Sequence, residues 1–159
     1  MKKHLANRQS LSIEFILAVY LWILMLGLFL QGSGSLALRL SPDLEAYTPP
    51  LLAGILIAHI PHALLHIFWG TAGIVVLATL RSSRARIMLG LVFGTFYTLL
   101  AIVGTIDNHI FNLHLAPSEN GFHWIVGPLT LGLSLLTWYA QSHALRIPKE
   151  LSSSDSRAL

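Results

Sequence analysis

Apolar and polar positions along this chain fall into long blocks, not into the short periods of a soluble helix or strand. Residues 1–10 are polar and basic, with Lys2, Lys3 and Arg8. Residues 11–30 are then apolar with one charge, Glu14, near the start. At 1.5 Å per residue such a run covers about 30 Å, the thickness of one bilayer core. A basic start before an apolar run also resembles a signal peptide, with Ser35-Leu36-Ala37 as a cleavage site. The run exceeds the roughly 7–15 apolar residues of such signals, so it is expected to remain as a helix.

Gln31-Gly-Ser-Gly-Ser35 is expected to end that helix, and Pro42, Pro49 and Pro50 punctuate a linker. Residues 51–80 are too long for one straight span, and Pro61 divides them. Proline suits the first turn of a helix and disrupts its interior, so a second span is placed at 60–80. Residues 51–59 become an interfacial lead-in; the alternative is one long helix kinked at Pro61. Arg81-Ser-Ser-Arg-Ala-Arg86 forms a basic turn, and residues 87–106 a third span. A polar loop over 107–121 leads to a fourth span at 122–142, followed by a polar tail from 144 to 159. Glycines 70, 73, 90, 94, 127 and 132 are expected to be close-packing positions between helices. Trp22 and Trp69 are expected to pack inside, Trp124 and Trp138 to flank the fourth span, and Glu14 to snorkel or pair with Arg8.

Composition agrees with the blocks. Hydrophobic residues make up 54% of the 159 and charged residues 11%, against about 25% charged in soluble domains. The expected fold is all-α: a polytopic membrane protein with four transmembrane helices in one bundle (residues 11–143). There is no cysteine, which removes disulfides, thiolate metal sites, iron–sulfur clusters and covalent c-type haem. The N-terminus, the 81–86 turn and the tail hold every Lys and Arg except Arg39. The positive-inside rule therefore places both termini in the cytoplasm and the chain in the inner (plasma) membrane as a multi-pass protein. The basic residues serve topology, so no nucleic-acid partner is read from them.

That topology sorts the eight histidines. His4 and His143 fall on the cytoplasmic side; His59, His62, His66, His109, His114 and His123 fall on the other side or in the outer half of the membrane. His62 and His66, four residues apart, share a helix face. His62 and His123 each open a span and lie at similar depth, with His66 roughly 6 Å deeper by helix rise. Titratable groups are costly near hydrocarbon and ask for a reason. Imidazole is a common ligand of divalent transition metals. His62, His66 and His123 form a candidate metal set, with Glu119 as fourth ligand or as the partner orienting a ligand. Alternatively, His62 and His123 clamp a b-type haem or a chlorophyll-like pigment. His59, Asn120 and His109 are the surrounding candidates, and His109 and His114 also read as plain loop histidines. The bland alternative is that the helix-mouth histidines only hydrogen-bond backbone carbonyls or neighbouring helices.

Two of these segments carry a resemblance. His62-Ala-Leu-Leu-His66-Ile-Phe-Trp-Gly70-Thr-Ala-Gly73 resembles the His-Asn-x-x-His-x-x-x-Gly-x-x-Gly pattern of small four-helix bacterial membrane proteins, the domain of unknown function four-three-eight-three. Glu119-Asn120-Gly-Phe-His123-Trp-Ile-Val-Gly127 is similar to that family's Asp-Asn-x-x-His-x-x-x-Gly element, and the likeness covers roughly residues 55 to 140. Ala63 stands where the family usually has asparagine, and Glu119 keeps a carboxylate where it often has aspartate. The resemblance implies the four-helix frame and singles out His62, His66, Glu119, Asn120 and His123; it implies no reaction.

Three functions compete. The first is a membrane protein that binds a metal or haem through an outward-facing His/Glu cluster. The second is a non-catalytic accessory subunit of a larger respiratory or photosynthetic complex, or a homo-oligomer; small size and glycine-lined helices favour it. The third, a transporter or channel, is weakest: the spans have little polar lining and no inverted repeat. No hydrolase or nucleotide motif is present, so no catalytic residue is assigned and the default is non-enzymatic.

Overall fold

The computed structural model describes residues 2–49, 59–107, 109, 113 and 115–155. Those residues form helices and no strands. Long helices α1 (Lys2–Leu40), α3 (Ile60–Thr79), α4 (Ser83–Ile106) and α5 (Pro117–Asp155) are joined by short segments, and a single-turn helix α2 (Pro42–Tyr47) follows α1. α1 packs mainly on α3 and α4 on α5; α1 also meets α5, and α3 meets α4. The four long helices thus form a closed ring in which α3 and α5 face each other across the interior. Residues 51–58 lie outside the described residues, so the lead-in expected there does too. His59 is extended (φ −62°, ψ 149°) and α3 begins behind it with Pro61 in its first turn, where a missing N–H costs no helical bond.

α1, α3 and α4 are each long and apolar enough to cross a membrane. Their outward faces carry large apolar side chains: Phe15, Ile23 and Phe68 are each more than 60% exposed. A bundle in water would expose charge there. α5 is less apolar: it has polar residues at both ends and a hydroxyl stripe on one face. Thr130, Ser134 and Thr137 are buried, and each hydroxyl donates to its own helix one turn back, at 2.6–2.8 Å. Such bonding satisfies a polar side chain without a partner helix. Tyr20 Oη and Thr130 Oγ1, 2.7 Å apart, tie this stripe to α1. The apolar core lies within the ring: Leu17, Leu21, Met25 and Leu28 of α1, Leu77 of α3, Phe93 and Tyr97 of α4, and Val126 of α5.

The expected end of α1 at Gln31–Ser35 is corrected: the helix runs on to Leu40. The small residues are its contact with α3. A Cβ on Gly32 would stand 2.6 Å from the Ala63 carbonyl oxygen, and Ser35 is fully buried. Glycine weakens a helix by about 1 kcal/mol, but here it lets two backbones meet, and packing offsets the loss. Gly70, Gly94 and Gly127 act likewise, each with neighbouring backbone within 2.6 Å of an added Cβ. Gly132 does not: nothing lies within 4 Å of that position, so its expected packing role is withdrawn. The polar tail is also helical as far as Asp155.

At the end opposite the histidines, Glu14 meets Arg86, with Nη1 donating to Oε1 at 3.0 Å. The expected partner, Arg8, has a side chain outside the described ones. Gln141 Nε2 donates to the other Glu14 oxygen at 3.2 Å and also to Ser83 Oγ. Three helices therefore close on one carboxylate. Trp69 packs inside on Phe93, Phe96 and Tyr97, and Trp124 is held at the surface by its indole N–H on Thr105 Oγ1.

Candidate metal centre

The first two turns of α3 and the second turn of α5 supply the site. His62, His66 and His123 are all buried, and one ring nitrogen from each lies within 4.8 Å of the others. Helix rise alone would leave His66 a turn below His62. The side chains nevertheless bring one nitrogen of each ring within 4.8 Å of the others. Ring centroids are 4.4 Å apart for His62 and His66, 5.2 Å for His62 and His123, and 6.3 Å for His66 and His123. Ala63 suits the packing: it is fully buried, and its carbonyl oxygen lies against Gly32 of α1.

The two rings of α3 are oriented from behind. His66 Nδ1 meets Gln31 Oε1 of α1, and an amide oxygen only accepts, so Nδ1 carries the proton. His62 Nδ1 lies 3.3 Å from Glu119 Oε1, an ion-pair contact without full hydrogen-bond alignment. The carboxylate favours the proton on that nitrogen too. With both outer nitrogens protonated, the two Nε2 atoms face each other with lone pairs at 3.0 Å, a hydrogen-bond distance that either a proton or a metal ion between them accounts for. His123 adds a ring with both nitrogens buried and neither hydrogen-bonded. Buried polar atoms without partners cost about 1–3 kcal/mol each. A cation among the three rings would give these nitrogens the partner they lack.

Glu119 is itself held. Its Oε2 accepts the Ala116 backbone N–H at 2.8 Å, closing the first turn of α5. Burial pushes its carboxyl up, but the His62 contact, the Ala116 N–H and the nearby His62 and His123 rings outweigh that, and the net direction is down. Glu119 thus stands against the outer nitrogen of His62, not among the three nitrogens that converge. Asn120 faces α4: its Nδ2 donates to Thr105 Oγ1 at 3.0 Å and to the Ala101 carbonyl at 3.3 Å. His59 caps α3 and is exposed, and His109 is exposed with its backbone N–H on Asp107. Neither belongs to the converging set among the described residues; His114 lies outside them.

Two neighbours were not singled out from the sequence. Gln31 is a polar residue at the end of an apolar run, and that position is its only signal. Tyr97 places its ring 5.1 Å from His123, and its hydroxyl is buried without a partner. With Phe93 stacked at 4.2 Å it forms an aromatic floor under the site. Beside the histidines, a cavity of about 420 Å³ opens between α1 and α5. Ile23, Leu24, Leu28 and Phe122 give it apolar walls, and its polar groups include Gln31, His66, Glu119 and His123.

No family profile, curated protein or solved structure matches this chain.

Proposed function

We propose that this protein is a multi-pass inner-membrane protein that holds one divalent transition-metal ion on His62, His66 and His123 at the non-cytoplasmic end of its bundle. The observation that carries the reading is the pair of Nε2 atoms turned toward each other at 3.0 Å, with Glu119 and Gln31 on the outer nitrogens. Metal-bound histidines usually pass their other N–H to a carboxylate or carbonyl, which fixes the tautomer and raises ligand basicity. Tetrahedral ligands about 2.0–2.1 Å from zinc stand about 3.3 Å apart, close to the separation here. The third imidazole has no other bond to lose. Three neutral nitrogens with one open position suit zinc, and after it cobalt or iron in the same charge state.

A haem clamped by His62 and His123 fits less well. His66 stands 4.4 Å from one ring and 6.3 Å from the other, where the edge of a macrocycle between them would lie. Three apolar helices and the distribution of Lys and Arg support the membrane placement and the orientation. The resemblance in the two histidine motifs points to the same five residues.

The test is elemental analysis of the full chain purified in a neutral detergent after zinc loading and chelator-free gel filtration. One zinc per chain is expected, falling to background in His62→Ala and His123→Ala. Wild-type protein that retains no metal, or variants that retain it equally, contradicts the reading.

A further inference from the structure

The cavity beside the triad has an uneven chemistry. Its wall along α1 is apolar through Ile23, Leu24 and Leu28, while His66, His123 and Glu119 give it a polar end. Its volume, about 420 Å³, falls within the roughly 300–1,000 Å³ of small-molecule sites, which are mostly apolar with a few fixed polar groups. Ile23, which lines the cavity, is 68% exposed on the face that carries the outward apolar side chains. On the membrane reading, the opening therefore meets lipid.

The charge at the polar end is also unbalanced once a metal is bound. Three neutral imidazoles leave a divalent ion with both its charges, and Glu119 offsets one of them. A net positive charge in a buried, apolar setting is costly unless it is paired. The ion keeps an open position, because the protein supplies three ligands.

We infer that the cavity takes a fatty acid, with its carboxylate on the open position of the metal and its alkyl chain along the apolar wall of α1. This rests on the metal reading above. An anionic oxygen head completes both the coordination and the charge, and an alkyl tail matches the wall and arrives from the bilayer. Gly27, on the cavity wall, has nothing within 4 Å of an added Cβ. A side chain can therefore start there without a backbone clash and take up cavity space.

The experiment loads the full chain, in phosphatidylcholine nanodiscs, with cobalt(II) as a coloured substitute for zinc. It is then titrated with hexadecanoate, methyl hexadecanoate or acetate. Hexadecanoate is expected to shift the visible bands at concentrations lower than acetate by about tenfold or more, and the ester to leave them unchanged. Gly27→Trp is expected to bind cobalt as the wild type does and to lose the hexadecanoate response. Should that variant misfold, Gly27→Leu replaces it, and the comparison of the three compounds on wild type needs no variant. Cobalt-loaded protein whose bands ignore hexadecanoate, or answer acetate equally, overturns the fatty-acid assignment and leaves the metal site standing. Protein that takes up no cobalt overturns the metal reading and this inference together.

Discussion

His62 and His66 point their Nε2 atoms at each other across 3.0 Å, an arrangement that asks for a cation between them. The outer nitrogens of both rings are already committed, to Glu119 and to Gln31. Neither ring can turn without leaving a half-buried carboxylate or amide facing a ring carbon.

Loss of those outer partners should weaken metal binding without abolishing it. Changes of this kind typically cost about 10- to 100-fold in affinity. Glu119→Gln and Gln31→Leu are each expected to raise the zinc dissociation constant within that range, measured by competition with a chromophoric chelator. Wild-type affinity in both variants would remove the orienting role.

Glu119 also gives the metal-free protein a pH signature. Its carboxyl is held below the usual range, so its contribution to stability is complete above that range and is lost as pH falls through the lowered value. The thermal stability of wild type and Glu119→Gln should therefore differ most near neutral pH and converge in acid. A gap that is constant with pH contradicts this.

The small residues separate into two kinds by what surrounds them. A Cβ on Gly94 would stand 2.6 Å from the Leu131 backbone nitrogen, whereas Gly132 faces open space. Gly94→Leu should destabilise the bundle by about 1–3 kcal/mol through overpacking. Gly132→Leu should be neutral or stabilising by up to about 1 kcal/mol, since leucine is the better helix former. Unfolding from mixed micelles by titration with a denaturing detergent distinguishes them, and equal losses would contradict the packing described.

The contrast shows what could be read from the chain and what could not. The apolar blocks and Pro61 marked the long helices and the start of α3, because long apolar runs and proline geometry act locally. His62, His66 and His123 stood out because imidazoles near an apolar run are conspicuous. Gln31 did not, since its role depends on α1 continuing past glycines that locally argue for a stop. The close contact of Gly32 with Ala63 gives those glycines a packing role instead, and such a contact leaves no trace in spacing. Arg86 as the partner of Glu14 was hidden for the same reason: the two are 72 residues apart.

The chain has no native cysteine, so one introduced thiol reports membrane sidedness cleanly. Ser118→Cys, beside the site, should react with a membrane-impermeant maleimide in spheroplasts, and Arg84→Cys should react only after the membrane is broken. The reverse pattern would invert the orientation and place the site on the cytoplasmic side.

X-ray absorption at the zinc edge of the loaded full chain tests the central claim most directly. The account predicts a shell of three imidazole nitrogens at about 2.0–2.1 Å, falling to two in His123→Ala. A spectrum without imidazole scattering, or one that the variant leaves unchanged, would contradict it.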